Sequence, residues 1–169
     1  MEQDKIANIN DELLDDDFQK DRYLAFKINE ENYVIEIKYV VEIIGIQGVT
    51  QVPNIADYIK GIINIRGNII PVVEIRMRFG LETVPYTDKS CIVVVEVNNT
   101  SIGLIVDEVR EVVGIPEKII VPPPATIKGS GSKYISGMGK LGDTVYILLG
   151  INELLYDRQP DFEHEEHFG

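Results

Sequence analysis

Tyr58-Ile59-Lys60-Gly61-Ile62-Ile63-Asn64-Ile65-Arg66-Gly67-Asn68-Ile69-Ile70-Pro71-Val72-Val73-Glu74-Ile75 is the stretch from which the fold can be read. Two apolar, β-branched runs, residues 62–65 and 69–75, flank Arg66-Gly67-Asn68. Gly67 and Asn68 are residue types that accept positive φ, so the stretch is expected to form a tight hairpin turning on them. Runs this apolar do not suit a sheet with one wet face, which predicts cover on both faces. Arg66 is then expected at the tip of a buried hairpin, where its planar fork can meet a partner's carboxylate or backbone. The competing reading of Arg66 is an ordinary solvated turn residue.

The same hairpin returns, altered, later in the chain. Residues 22–46 and 91–115 align without gaps at an offset of 69, and Val52-Pro53 meets Val121-Pro122 at that offset. After an insertion of seven residues, Tyr58-Ile59-Lys60-Gly61 meets Tyr134-Ile135-Ser136-Gly137, and the tip Arg66-Gly67 meets Gly142-Asp143. Val/Ile-rich strands match by chance, but four landmarks in one order imply a duplicated unit of about five strands. Short strands with Gly- and Asn-rich turns predict an all-β chain of two small antiparallel barrels. Units this small bury little core alone, so they should pack together, with a groove between them as the binding surface. The tip cation exists in one copy only, so the turn does not require it.

Along the rest of the chain, the spacing predicts a short helical turn over 55–58 capped by Asn54 and a basic turn over 76–78. A final helix is expected from an N-cap at Asn152 to about residue 156. The net charge of −12 lies mostly in the ends: residues 1–21 carry eight acids and two bases, and 157–169 five acids and one base. The domain is therefore expected over 22–156, between an acidic N-terminal arm (1–21) and an acidic tail (157–169), both mostly without fixed structure. Ile6, Ile9, Leu13, Leu14 and Phe18 in the arm have the spacing of a transient amphipathic helix, interrupted by Asp15-Asp16-Asp17. No run is long and apolar enough for a bilayer, and the lone cysteine, Cys91, fits a reducing compartment, so a cytoplasmic address is expected. Cys91 precedes Ile92-Val93-Val94-Val95 and reads as a small buried hydrophobe.

The catalytic inventory is thin. Both histidines, His164 and His167, sit in the acidic tail, so Cys-His, Ser-His and His-metal chemistry are poorly served in the body. Glu36, Glu42, Asp107 and Glu111 are the carboxylates that an acid pair would need. Gly129-Ser130-Gly131-Ser132 lacks the Lys and helix start of a phosphate loop. Lys60, Arg66, Arg76 and Arg78 form one basic cluster, too small for nucleic acid. No cofactor or metal is expected; an apolar β surface with one placed cation fits protein binding.

Val52-Pro53-Asn54, the segment from Tyr58 to Val73, Tyr33-x-Ile35-x-Ile37, Val40-x-Glu42-Ile43, residues 103–106 with Asp107, and Tyr134-x-x-Gly137 together resemble the CheW family of bacterial chemotaxis coupling proteins. The resemblance spans roughly residues 20–157. It implies two packed five-stranded SH3-like barrels and a non-enzymatic adaptor. Its implied partners are the cytoplasmic tip of transmembrane chemoreceptors and the regulatory domain of the histidine kinase CheA, with recruitment to membrane receptor arrays. It implies a receptor-facing groove of Val40, Glu42, Arg66, Val109 and Val112, with Glu42 and Arg66 as an ion pair. Ile43, Gly61 and Cys91 match positions of kinase or receptor contact. Cys91 stands where an aliphatic residue is usual. The alternatives are the regulatory domain of a CheA-type kinase, which shares the fold, and a carboxylate enzyme working between Glu42 and Glu111.

Overall fold

The computed structural model describes residues 20–126 and 132–156. Expectations for most of the N-terminal arm, for the tail with His164 and His167, and for most of the Gly/Ser loop lie outside those residues. Ten strands carry the fold: β1 (Arg22–Ile28), β2 (Glu31–Glu36), β3 (Val40–Gly45), β4 (Ile59–Ile65), β5 (Asn68–Glu74), β6 (Cys91–Val97), β7 (Thr100–Val106), β8 (Glu108–Gly114), β9 (Ile135–Leu141) and β10 (Thr144–Leu149). Two short helices follow the two hairpins that the duplication relates, α1 (Ile75–Arg78) after β5 and α2 (Ile151–Tyr156) after β10.

The strands form two five-stranded sheets, ordered β8-β1-β2-β10-β9 and β3-β6-β7-β5-β4. Replacing each strand by its duplicate converts one order into the other. Neither sheet belongs to one copy, however. The first takes β1 and β2 from the first copy and β8, β9 and β10 from the second; the other sheet is built the opposite way. The expectation of one barrel per copy is corrected to two barrels that exchange strands. Nor are they wholly antiparallel: β2 runs parallel to β10, and β5 to β7. No hairpin joins either pair, so no short turn dictates their direction. Each sheet curls into a barrel through one further bridge. Thr50 and Ile62 exchange two backbone hydrogen bonds of 2.9 Å, and Val121 and Met138 exchange bonds of 2.8 and 2.9 Å.

Alternation along the strands divides the apolar residues among three cores. In β6, Ile92 and Val94 point into one barrel with Ile63, Ile65, Ile70 and Val72. Val93, Val95 and Val97 point the other way, into a core shared with Leu24, Phe26, Ile28 and Ile35 of the second barrel. The second barrel is filled by Ala25, Val34, Ile115, Tyr146 and Leu148. Continuous Val/Ile runs therefore arise because one face fills a barrel while the other fills the joint. The prediction of two covered faces holds there and fails at the hairpin tip, where Ile69 is 60 % exposed.

Local features also depart from expectation. Arg66 (φ 50°) and Gly67 (φ 87°), not Gly67 and Asn68, are the turn residues, and Asn68 begins β5 opposite Ile65. Asn54 has φ 62°, a left-handed conformation unsuited to an N-cap, and residues 55–58 form turns rather than a helix. Asn152 lies inside α2, which starts at Ile151. The basic cluster does not form, because Arg76 and Arg78 are buried. Ile75, Arg78 and Phe79 share one face of α1 at i, i+3 and i+4, so the apolar pair draws the arginine inside.

Candidate protein-binding seam

The seam grows from the register of β3 and β8. Val40 and Ile43 lie opposite Val95 and Val93 of β6, while Val109 and Val112 lie opposite Phe26 and Leu24 of β1. Residues directly opposite on neighbouring strands project from the same face. Because Val93, Val95, Leu24 and Phe26 all belong to the shared core, the four residues lie on the side turned towards it. Val40 and Val109 pack partly against that core, whereas Ile43 and Val112 are 44 % and 49 % exposed. Both strands end their sheets, so no further strand covers them. The two pairs, Val40/Ile43 and Val109/Val112, are themselves duplicates, so the joint presents one apolar motif twice.

The ion pair implied by the resemblance is present. An Nη2 hydrogen of Arg66 is donated to Oε2 of Glu42 on β3. The tip is held by the Gly67 N–H donating to Asn64 Oδ1 at 2.8 Å, which leaves the Arg66 side chain 72 % exposed. Arg66 occupies a left-handed conformation where the second copy uses Gly142 (φ 59°). A residue with a Cβ is strained there, so the arginine is kept at a backbone penalty that a bare turn avoids. The second barrel repeats the acid, Glu111, without a cation at its tip.

The remaining candidates divide by burial. Cys91 is half-buried against the shared core, opposite Gly45 and Val106. Burial pushes its thiol above the ordinary range, against a pull from the Val109 N–H, and the thiol form prevails at neutral pH. Gly61 is buried beneath the closing segment, and a Cβ there would lie 2.2 Å from the Thr50 carbonyl oxygen. Three of the four candidate carboxylates are ion-paired: Glu36 with Lys38 at 3.3 Å, Glu42 with Arg66, and Asp107 with Arg76 at 2.6 Å. Glu111 is on β8, in the other sheet from Glu42, and the four are not gathered into one cleft.

Sequence reasoning missed a polar lattice beside the joint. Asp107 accepts from Arg76 Nε (2.9 Å) and Nη2 and from the Asn29 N–H (2.8 Å), while Arg76 also donates to the Glu82 carbonyl at 3.1 Å. Buried Glu74 accepts from the Tyr86 hydroxyl at 2.7 Å, fastening the linker before β6 to the end of β5. Burial raises the Glu74 carboxyl above its ordinary range, opposed by that bond and by Lys60. The Arg78 guanidinium lies 3.8 Å from the Tyr58 ring and 4.8 Å from the Tyr134 ring, with Nε donating to the Leu154 carbonyl at 2.8 Å. Tyr58 and Tyr134 are duplicates, so one cation serves equivalent residues of both copies.

The family model of the CheW-like domain matches residues 22–159. The chemotaxis protein CheW of Klebsiella aerogenes is 34 % identical over 133 residues, covering 79 % of this chain and 80 % of that protein. CheW of Treponema pallidum is 32 % identical over 149 residues, 86 % of each chain. The crystal structure of the scaffolding protein TtCheW from Thermoanaerobacter tengcongensis superposes with a TM-score of 0.74 at 34 % identity, covering 80 % of this chain and 92 % of that one. By fold, strand pattern and sequence, this chain belongs to the CheW-like domain family.

Proposed function

We propose that the protein is a chemotaxis adaptor that couples chemoreceptors to a CheA-type histidine kinase, with the seam as its receptor-facing surface. Membership of a family of non-enzymatic chemotaxis scaffolds supports the adaptor role. The observation that carries the choice of surface is the twice-presented apolar motif Val40/Ile43 and Val109/Val112, with Glu42 of the Glu42–Arg66 pair on the same edge strand as Val40 and Ile43. Apolar contacts on the seam supply affinity, and the exposed guanidinium sets orientation. Cys91 and Gly61 act from behind this surface, one against the shared core and one under the barrel seam. The kinase regulatory domain takes a separate surface, so that a receptor's change of state reaches the kinase through differential contact. The adaptor works at the cytoplasmic side of receptor arrays; among the described residues no helix is long and apolar enough to cross a membrane.

Calorimetric titration with a receptor-tip fragment and, separately, with a kinase regulatory domain tests this reading. Both should bind. Val112→Asp and Arg66→Ala should weaken receptor binding about tenfold or more, the size of a central contact, and leave kinase binding intact. Failure to bind either fragment, or seam variants that spare the receptor, would overturn it.

A further inference from the structure

We propose that Arg78 decides which copies pair: it lets the two copies within one chain join each other and bars two chains from exchanging strands between like copies. The duplication makes that second arrangement available. Each barrel takes strands from both copies, so the first copy of one chain could close its barrels with the first copy of another, and the second copies likewise. The register is duplicated too. Tyr23 lies opposite Val113 and Ile92 opposite Ile44, and the offset of 69 carries one pair into the other.

The joint tells the copies apart at one point. The offset of 76 that carries Tyr58 to Tyr134 also carries Ile75 to Ile151, the first residues of α1 and α2, and Arg78 to Leu154. Arg78 Nε donates to the Leu154 carbonyl at 2.8 Å, so the arginine touches its own duplicate. Its guanidinium lies over both duplicate rings, 3.8 Å from Tyr58 and 4.8 Å from Tyr134. A residue in contact with its own equivalent stands on the pseudo-twofold axis that relates the copies. Both side chains are closed to solvent there, Arg78 at 3 % exposure and Leu154 at 0 %. Pairing within one chain therefore puts one cation and one leucine on the axis. Pairing first copy to first copy would put two arginines there, and burying two like charges against the same rings is strongly unfavourable. Pairing second copy to second copy would put two leucines there and lose the cation's contacts with the rings. An exchanged dimer needs both joints, so the arginine pair weighs against it whatever the leucine pair allows. Leucine in place of a buried cation often costs no stability, so selectivity is the better account of the arginine.

The test refolds the full chain from urea at about 1 mM, the concentration that a short linker imposes within one chain, and reads mass by light scattering after gel filtration. Arg78→Leu puts two leucines on every axis, and its association constant for dimerisation should exceed the parent's by at least about tenfold, the least that relief of a buried like-charge pair should give. In the exchanged dimer Tyr23 of one chain stands opposite Ile44 of the other. Tyr23→Cys with Ile44→Cys, in a Cys91→Ala background, should then cross-link the chains on oxidation. A variant no more dimeric than the parent, or a dimer without that bond, would overturn the proposal. Should Arg78→Leu fail to refold, Leu154→Arg decides, because two cations then meet inside every chain. Its urea midpoint should fall well below that of Arg78→Leu/Leu154→Arg, which again holds one cation on the axis. Equal midpoints would overturn the proposal.

Discussion

Replacing Gly61 by alanine puts a methyl group where β4 meets the segment that closes its barrel. The added Cβ would lie 2.2 Å from the Thr50 carbonyl oxygen, 2.7 Å from Val49 Cγ1 and 2.9 Å from the Thr50 carbonyl carbon. Two of these are backbone atoms, and they cannot rotate away. Relief requires moving the closing segment, which breaks the two 2.9 Å bonds between Thr50 and Ile62. Two backbone bonds at about 0.5–1.5 kcal/mol each, with overpacking of about 1–3 kcal/mol, give a loss of about 2–6 kcal/mol. The duplicate, Gly137, meets Ile120 Cγ2 at 2.9 Å and the Val121 carbonyl at 3.2 Å, so Gly137→Ala should lose less, because a side chain yields more readily. Gly45 has nothing within 4 Å, and Gly45→Ala should change stability by less than about 0.5 kcal/mol. Urea unfolding followed by circular dichroism gives all three values. An order other than Gly61, Gly137, Gly45, or a Gly61→Ala variant as stable as the parent, would refute barrel closure as the role of this glycine.

Arg66→Gly relieves the left-handed strain at the tip, so its melting temperature should equal or exceed the parent's while receptor binding falls; a clear loss of melting temperature would make Arg66 structural. Asp107→Ala strips the counter-ion from nearly buried Arg76 and should lose about 2–4 kcal/mol in urea unfolding, somewhat below the range for fully buried pairs because Asp107 is partly exposed. Tyr86→Phe leaves the buried Glu74 carboxylate without its hydroxyl donor and should lose about 1–3 kcal/mol by the same assay. Burial raises the Glu74 carboxyl, so the folded chain holds that proton more tightly than the unfolded one. Its contribution is present below the unfolded-state value, about pH 4.3, and is lost as pH rises through the higher folded value. Glu74→Gln should therefore be no less stable than the parent at pH 7, and pH-dependent unfolding curves that show the reverse would contradict this sign.

The hairpin, the duplication and most strand positions were legible because β-branched residues alternate with a period of two and Asn-Asn or Gly turns punctuate them. Tyr-Ile-x-Gly stood out as a landmark, but its reason appears only when Thr50 is seen to bridge above Gly61. Val40, Glu42, Val109 and Val112 were reached through resemblance. The shared side of Val40, Val109 and Val112 follows from register, which the β-bulges in β3–β6 and β1–β8 shift by a residue in ways a sequence does not display; Glu42, opposite Val94, lies on the other face of β3. The burial of Arg76 and Arg78 is hidden in the sequence by their charge, and Asp107, the partner that lets Arg76 stay inside, is 31 residues away. The turn marks Arg66 as a side chain that the backbone does not require, but its pairing with Glu42, 24 residues away, is implied only by the resemblance.

Strand exchange, which the sequence reading missed, follows from connection lengths once the register is known. Suppose β3 paired with β1 of its own copy, as β8 does. β2 ends beside Tyr23, but the new strand would have to begin beside Lys27, where Glu108 stands. That start is about 13 Å along and two spacings of about 4.8 Å across, roughly 16 Å in all. The connection is a 3-10 turn, Ile37–Tyr39, which advances only about 8 Å. Between β7 and β8 only Asp107 intervenes, and two Cα steps reach at most about 7 Å. Both copies are thus driven across the joint into the other barrel, which is why the joint is apolar and flanked by equivalent strands. Residues 1–88 and 89–169, produced separately, should each fail to fold as a monomer and should restore a cooperative melt when mixed. A monomeric half that unfolds cooperatively with native-like methyl dispersion would refute this, because its strands would have closed a barrel that its connections are too short to permit.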